Sequence, residues 1–236
     1  MSVIDLDSWI FVNYVPGAFG SFLTKVLELS PDVYGSKTTD IFNQYGASHN
    51  NITEWINYFH DGDDLDRWAM LAQDEQQQYI LDNVDTALLS TTSLKRIHRL
   101  TIPKYNYLFR QHFICSKFIK ITVEPQDIEF IVSMMSKKTF YVWMSKISDP
   151  LKTVILNISD DKQYEYYNKV CMDHITNILD NAIEPDTFNF PVQAFFSLEK
   201  FSTEIDDLTR WLNIQPGNYE DFYNKFFLSH NKFKQL

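Results

Sequence analysis

The stretch IFVNYVPGAFGSFLTKVLELS, Ile10 to Ser30, constrains the fold of this chain more than any other. An apolar run breaks at a proline–glycine pair and resumes with helical spacing. The pattern predicts a strand from Trp9 to Val15 that is covered on both faces, then a tight turn, then a helix from Ser21 to Ser30. In a parallel-sheet protein this turn is a common place to hold a phosphate group.

The same order of elements recurs later in the chain. KRIHRL, from Lys95 to Leu100, alternates like a strand, and Pro103 opens a predicted helix. KFIKITV, from Lys117 to Val123, is the next predicted strand, and Pro125 starts the helix after it. Strands that alternate with helices through short connections are typical of a parallel sheet.

The remaining third of the chain continues this alternation. Residues 162–183 form a long amphipathic helix by their apolar stripe, and Phe190 to Phe196 reads as a strand. Ser197 is placed to cap the following helix, and Tyr219 to His230 reads as the last one.

These elements predict one domain over residues 1–236, with a mainly helical insertion at about 35–92. The predicted fold is a three-layer α/β/α arrangement around a central, mostly parallel sheet. With 236 residues, of which 44% are hydrophobic, the chain can bury the large core that such a fold needs.

The charge balance narrows the classes of partner. A net charge of −10 disfavours a nonspecific nucleic-acid or membrane-surface binder. Yet no acidic residue lies between Asp85 and Glu124, where seven of the 21 cations fall. This window indicates either a local anion site or basic strand ends that reach solvent.

The chain reads as soluble and cytoplasmic, without a secretory leader or an apolar run of the roughly 18 residues that a membrane span needs. Its two cysteines, Cys115 and Cys171, predict no disulfide framework. The histidines show no metal-ligand spacing, so we expect no metal cofactor.

The turn after the first strand is the strongest candidate for an anion site. The first N–H groups of a helix lack intrahelical partners, and the helix dipole adds positive potential there. Gly17 and Gly20 permit close approach of a ligand to the backbone, and Ser21 adds a donor. The full P-loop pattern is absent, since Val15 and Phe22 stand at two of its required positions. A purely structural turn remains an alternative.

VPGAFGSFL resembles the loop that binds the 5′-phosphosulfate in sulfotransferases that use 3′-phosphoadenosine 5′-phosphosulfate. That loop typically reads P-K-[ST]-[GA]-[GT]-[ST]-x-L, and a G-A-G-G-K-F-L variant occurs in small sulfotransferase-like proteins of marine microbes and their phages. Gly17 stands where the family usually has a lysine. The resemblance implies a P-loop-like sulfotransferase topology and a set of donor-binding residues: Pro16, Gly17, Ala18, Phe19, Gly20, Ser21, Phe22, Lys25 and Ser133.

Further segments resemble the same family in the same order. KRIHRLTIP is similar to the stretch whose histidine is the catalytic base, which implies that role for His98. FIKITVEPQDIEFIVS is similar to the segment that grips the 3′-phosphate: Pro125 and Asp127 match it, and Ser133 lies near the family's serine. Val123 stands where the family has an arginine. FPVQAFFSLEKFSTEIDDLTRWLNI resembles the last strand and helix.

The resemblance implies transfer of a sulfuryl group to a hydroxyl of a small molecule or carbohydrate. Two family cations are missing, and Lys25 with Arg96 or Arg99 are the residues that could compensate. One alternative is a P-loop-type phosphotransferase in which Glu124 positions Mg²⁺. Another is a non-catalytic descendant that keeps the fold without the donor site.

Overall fold

A parallel sheet organises the part of the chain that the computed structural model describes: residues 9–15, 17–34, 67–83, 94–100, 110–113, 116–134, 160–178 and 186–229. Within these residues the sheet has four strands: β1 Trp9–Asn13, β2 Arg96–Leu100, β3 Lys117–Thr122 and β4 Thr187–Pro191. Their order is β2-β1-β3-β4, and every pair is parallel.

The helices follow the strands as the sequence predicts. They are α1 Gly20–Glu28, α2 Gln73–Asn83, α3 Ile128–Met134, α4 Asp160–Ile178, α5 Leu198–Leu212 and α6 Glu220–Ser229. A 3₁₀ turn, Pro125–Asp127, precedes α3, and a second one, Val192–Phe196, lies between β4 and α5. The predicted α/β fold class with a parallel sheet is therefore confirmed.

Apolar side chains fill both faces of the sheet, which explains why β1 is apolar throughout. Every residue of β1 is buried. On one face Ile10 and Val12 join the main core with the apolar sides of α1 and α5. On the other face Trp9 and Phe11 pack against Phe113, at the end of the helical residues 110–112. Helical residues thus contact both faces, as in a three-layer arrangement.

The last strand differs from its prediction. The apolar run Phe190 to Phe196 is not one strand: β4 runs from Thr187 to Pro191, and the next residues coil into a 3₁₀ turn. Within the described sheet β4 pairs with β3, and β3 ends at Thr122, which is opposite Pro191. Beyond that pair, β3 no longer offers backbone partners to the residues after Pro191. Phe195 is nevertheless fully buried, so the run is apolar because it packs into the core.

The predicted insertion at 35–92 lies mostly outside the described residues, apart from 67–83, which contain α2. Here the Trp68 indole N–H donates to the carbonyl of Gln76 at 3.1 Å. The amide oxygen of Gln76 lies 2.9 Å from Nε2 of His112. Burial lowers the pKa of His112, so this ring is neutral at pH 7. These contacts fix 67–83 against the residues that lead into β3.

The strand order has a switch point at the carboxyl ends of the two central strands, β1 and β3. From β1 the chain moves to β2 on one side, then returns past β1 to β3 and continues to β4 on the other side. The connections after β1 and β3 therefore diverge. In open parallel sheets, ligands bind at this switch point.

Candidate functional site

The turn between β1 and α1 has two residues in the left-handed region of backbone space. Gly17 has φ 85°, which glycine adopts at little cost, and Phe19 has φ 60° and ψ 15°. The next residue, Gly20, is already helical. A left-handed residue followed by a right-handed one turns successive N–H groups toward a common concavity, which is a general anion-binding arrangement.

The start of α1 carries no side-chain cap. Phe19 is the N-cap residue, and its ring cannot accept a hydrogen bond from the backbone. The amide of Leu23 donates to the carbonyl of Phe19 at 2.9 Å. The N–H groups of Gly20 and Phe22 have no hydrogen-bond acceptor among the described residues. Amides of this kind at a helix start are donors that an anion can bind.

The side chain of Tyr14 forms one wall of this turn. Its ring lies against Gly20, which is buried, and its hydroxyl lies 3.1 Å from the hydroxyl of Ser21. Gly17 is exposed and Ser21 is half-buried. A ligand can therefore reach the turn from the side of Gly17, where it meets backbone amides and the Tyr14–Ser21 pair.

The rings of Phe19 and Phe22 pack against aromatic rings of the core. Phe19 lies 5.1 Å from Phe195 between ring centroids, and Phe22 lies 4.8 Å from Phe222 and 4.7 Å from Phe226. These contacts anchor the turn and the start of α1 in the core.

Lys25 is also turned into the protein. Its side chain is 2% exposed, and its ammonium lies 2.5 Å from a carboxylate oxygen of Glu28. A buried ion pair costs much to break, because each charge would lose its partner in a poorly hydrated place. A role of Lys25 toward the donor stays a prediction that requires this pair to open.

Arg96 cannot replace the missing lysine of the turn. It starts β2 and pairs with Trp9, the first residue of β1. Four strand residues separate it from the carboxyl edge, which is roughly 13 Å at the usual rise per residue. Arg96 therefore lies near the opposite edge of the sheet from the turn.

The residues that follow β3 form a capping box at the start of the 3₁₀ turn Pro125–Asp127. Glu124 and Asp127 form a reciprocal capping box around Pro125, and the Asp127 carboxylate accepts a hydrogen bond from the Glu124 amide at 3.3 Å. The amide of Gln193 also donates to Asp127. Pro125 and Asp127, which carry the resemblance in this segment, thus have a local structural reason to be there.

Replacing Asp127 with alanine is expected to destabilise the fold by about 1–2 kcal/mol, because the cap and the tie to Gln193 are both lost. Chemical denaturation of the purified protein measures this change. The control is Glu129→Ala, an exposed change in the first turn of α3, with an expected cost below about 0.5 kcal/mol. Equal stability of both variants would contradict a capping role for Asp127.

The other predicted site residues have less defined surroundings. Ser133 is the sixth residue of α3, and its side chain lies outside the described structure. Pro16 is not among the described residues. His98 lies in the middle of β2, opposite Phe11. The structure brings the ends of β1 and β2 together, since Asn13 pairs with Leu100.

One buried polar residue near the carboxyl edge was missed by the sequence reasoning, and a second was recognised only as part of the basic segment. Asn13 ends β1 and is 1% exposed, and Lys120 of β3 is 5% exposed and pairs with it. Asn13 follows the apolar run IFV, whereas Lys120 lies inside the strand KFIKIT and belongs to the segment without acidic residues. Their proximity depends on strand register, which the sequence pattern does not specify.

Within the described structure, no helix is long and apolar enough to cross a membrane. Nor do three or more His, Cys, Asp or Glu side chains in those residues come together in a way that could hold a metal ion.

Comparison with known proteins identifies similar solved structures. No protein-family model matches the chain, and no curated protein matches its sequence. A sulfotransferase domain from the curacin biosynthetic pathway is similar at 16% identity with a TM-score of 0.42, over 89% of this chain and 75% of that one. A sulfotransferase domain from the Synechococcus olefin synthase is similar at 12% identity and a TM-score of 0.41, over 96% of this chain and 87% of that one. Likeness at this level concerns the path of the chain and says nothing of activity or ligands.

Proposed function

We propose that this protein binds 3′-phosphoadenosine 5′-phosphosulfate and transfers its sulfuryl group to a hydroxyl of a small molecule or carbohydrate. The observation that carries the proposal is the uncapped start of α1, where a left-handed Phe19 precedes the amides of Gly20 and Phe22, which have no acceptor in the part of the chain that the structure describes. This start lies at the switch point of a parallel sheet, where anionic ligands bind.

The turn supplies electrostatic stabilisation in this proposal. Sulfuryl transfer is an in-line displacement, so catalysis depends on position and on stabilising the charge that builds on the donor's oxygens. The backbone amides of Gly20 and Phe22 and the Ser21 hydroxyl contact the 5′-phosphosulfate. His98 removes the proton of the acceptor hydroxyl, since a histidine titrates near neutral pH. Ser133 contacts the 3′-phosphate.

Calorimetry with 3′-phosphoadenosine 5′-phosphate, the desulfated product, tests the donor site. We expect Ser21→Ala to weaken binding about tenfold, because a hydrogen bond to a charged oxygen is lost. His98→Ala is expected to spare binding and abolish transfer. The matched control is Ser197→Ala at the start of α5, which should bind as the unchanged chain does. Equal binding by all four proteins would contradict the proposed loop.

The geometry also favours a second candidate, a non-catalytic descendant of the same fold. The Ser21 hydroxyl already contacts Tyr14, and the ammonium of Lys25 already pairs with Glu28. Under this reading the product does not raise the melting temperature, whereas a donor site requires that it does. The phosphotransferase alternative gains no support, because Glu124 is engaged in the capping box of the 3₁₀ turn before α3.

A further inference from the structure

The side chain of Asn13 is buried without a hydrogen-bond partner among the described residues. Asn13 is the last residue of β1 and is 1% exposed. Neither its amide nitrogen nor its amide oxygen hydrogen-bonds to any residue that the structure describes. Buried side-chain amides in folded proteins nearly always have partners, so this one is an exception that needs a cause.

The stability of the fold does not explain why an asparagine is buried at position 13. An amide withdrawn from water without compensating hydrogen bonds destabilises the folded state, and an apolar side chain of similar volume avoids this cost. Such a residue at the end of a central strand, where ligands bind in parallel sheets, is better explained by a contact made with a ligand.

The surroundings of Asn13 define the chemistry of that ligand. Phe11 and Phe118 are paired in register and their rings stack at 5.0 Å, so these positions share one face of the sheet. Two residues further along, Asn13 pairs with Lys120, which puts the amide beside a buried lysine on the same face. An amide both donates and accepts, as a hydroxyl does. A neighbouring cation favours the ionised form of such a hydroxyl.

We infer that Asn13 binds the hydroxyl of the sulfuryl acceptor, an uncharged phenol or alcohol; this inference rests on the proposed function. The amide oxygen of Asn13 accepts from that hydroxyl and orients it. In the transfer, the acceptor oxygen forms a bond to sulfur, and the bond from sulfur to the 5′-phosphate oxygen breaks. The proton passes to the predicted base, His98, and 3′-phosphoadenosine 5′-phosphate leaves. Asn13 itself exchanges no proton.

The replacement Asn13→Leu tests whether the amide of Asn13 serves ligand binding or the stability of the fold. We expect it to raise the melting temperature of the unliganded protein by roughly 2–4 °C, since a buried polar group without partners is removed. The matched control is Thr122→Val at the end of β3, whose hydroxyl donates to the Phe190 carbonyl at 3.4 Å. That change should not raise the melting temperature.

Ligand-observed NMR with phenol, in the presence of 3′-phosphoadenosine 5′-phosphate, measures acceptor binding. We expect the unchanged chain and Thr122→Val to bind phenol and Asn13→Leu to lose at least tenfold in affinity. A lower melting temperature for Asn13→Leu overturns the inference, because the amide then has a stabilising partner such as a buried water. Phenol binding that is absent in the unchanged chain, or equal in all three proteins, also overturns it.

Calorimetry of the same three proteins distinguishes a failure of the proposed donor site from a failure of the acceptor contact at Asn13. If all three bind 3′-phosphoadenosine 5′-phosphate equally while only phenol binding depends on Asn13, the donor site and the acceptor contact are both supported. If none binds it, the proposed donor site fails, and a loss of phenol binding in Asn13→Leu still supports a hydroxyl contact at Asn13.

Discussion

Gly20→Ala is expected to destabilise the fold by about 3 kcal/mol, at the upper end of the usual cost of overpacking a core. A Cβ at this position would lie 2.0 Å from Cδ1 and 2.1 Å from Cγ of the Tyr14 ring. The ring cannot move away easily, because Tyr14 is 7% exposed and its hydroxyl contacts Ser21. Urea denaturation measures the loss as a lower transition midpoint.

A double-mutant cycle identifies the cause of this loss. In a Tyr14→Ala background the alanine at position 20 meets no ring, so its cost should fall well below that in the unchanged chain. Tyr14→Ala alone reports the loss of the ring itself. If Gly20→Ala costs the same in both backgrounds, the contact with Tyr14 is not the reason for a glycine here.

Phe22→Ala should cost about 4 kcal/mol, which is typical when a fully buried phenylalanine is truncated. Phe22 is 2% exposed and lies at the centre of the aromatic cluster between α1, α5 and α6. The rings around it belong to Phe195, Phe201, Phe222, Tyr223, Phe226 and Phe227. Thermal and urea unfolding of the variant measure the loss.

Phe188→Ala is the matched control for this second change. Phe188 is half-buried on the edge strand β4, and its ring lies 5.8 Å from Trp211. Because less apolar area is lost there, the cost should stay below about 2 kcal/mol. Similar losses in the two variants would mean that the cluster around Phe22 is not central to stability.

The cluster around Phe22 also supports the candidate site. The two residues that shape the start of α1, Phe19 and Phe22, are held by rings from α6 and from the 3₁₀ turn after β4. Burial raises the pKa of Tyr223 to about 12. Its hydroxyl therefore stays protonated and donates to the Phe195 carbonyl at 2.8 Å. A rigid support of this kind keeps backbone amides in a position to bind an anion.

Much of the fold could be read from local patterns. The all-buried run of β1, the strand–helix order around β3 and the amphipathic stripes of α4 and α5 each lie within one segment. Periodicity and end signals within a segment reflect which side of it is buried, so they need no knowledge of the rest of the chain. The extent of β4 was misread because its end depends on where β3 stops.

The candidate site was less accessible to the same reasoning. The turn residues 17–22 were found because glycines between a strand and a helix are a local signal. The pairing of Lys25 with Glu28 was missed, although the two residues are three positions apart. A charged pair on a helix is usually at the surface, and only the tertiary packing buries this one.

The sequence by itself therefore determined the class of fold, the place of the turn and the start of α1, because these follow from short-range periodicity and backbone freedom. Only the tertiary structure decided that Arg96 lies far from the turn, that Tyr14 closes over Gly20, and that Asn13 and Lys120 are buried side by side. Such neighbours come from strand register and from packing between distant segments, and neither leaves a signal within a single stretch of sequence.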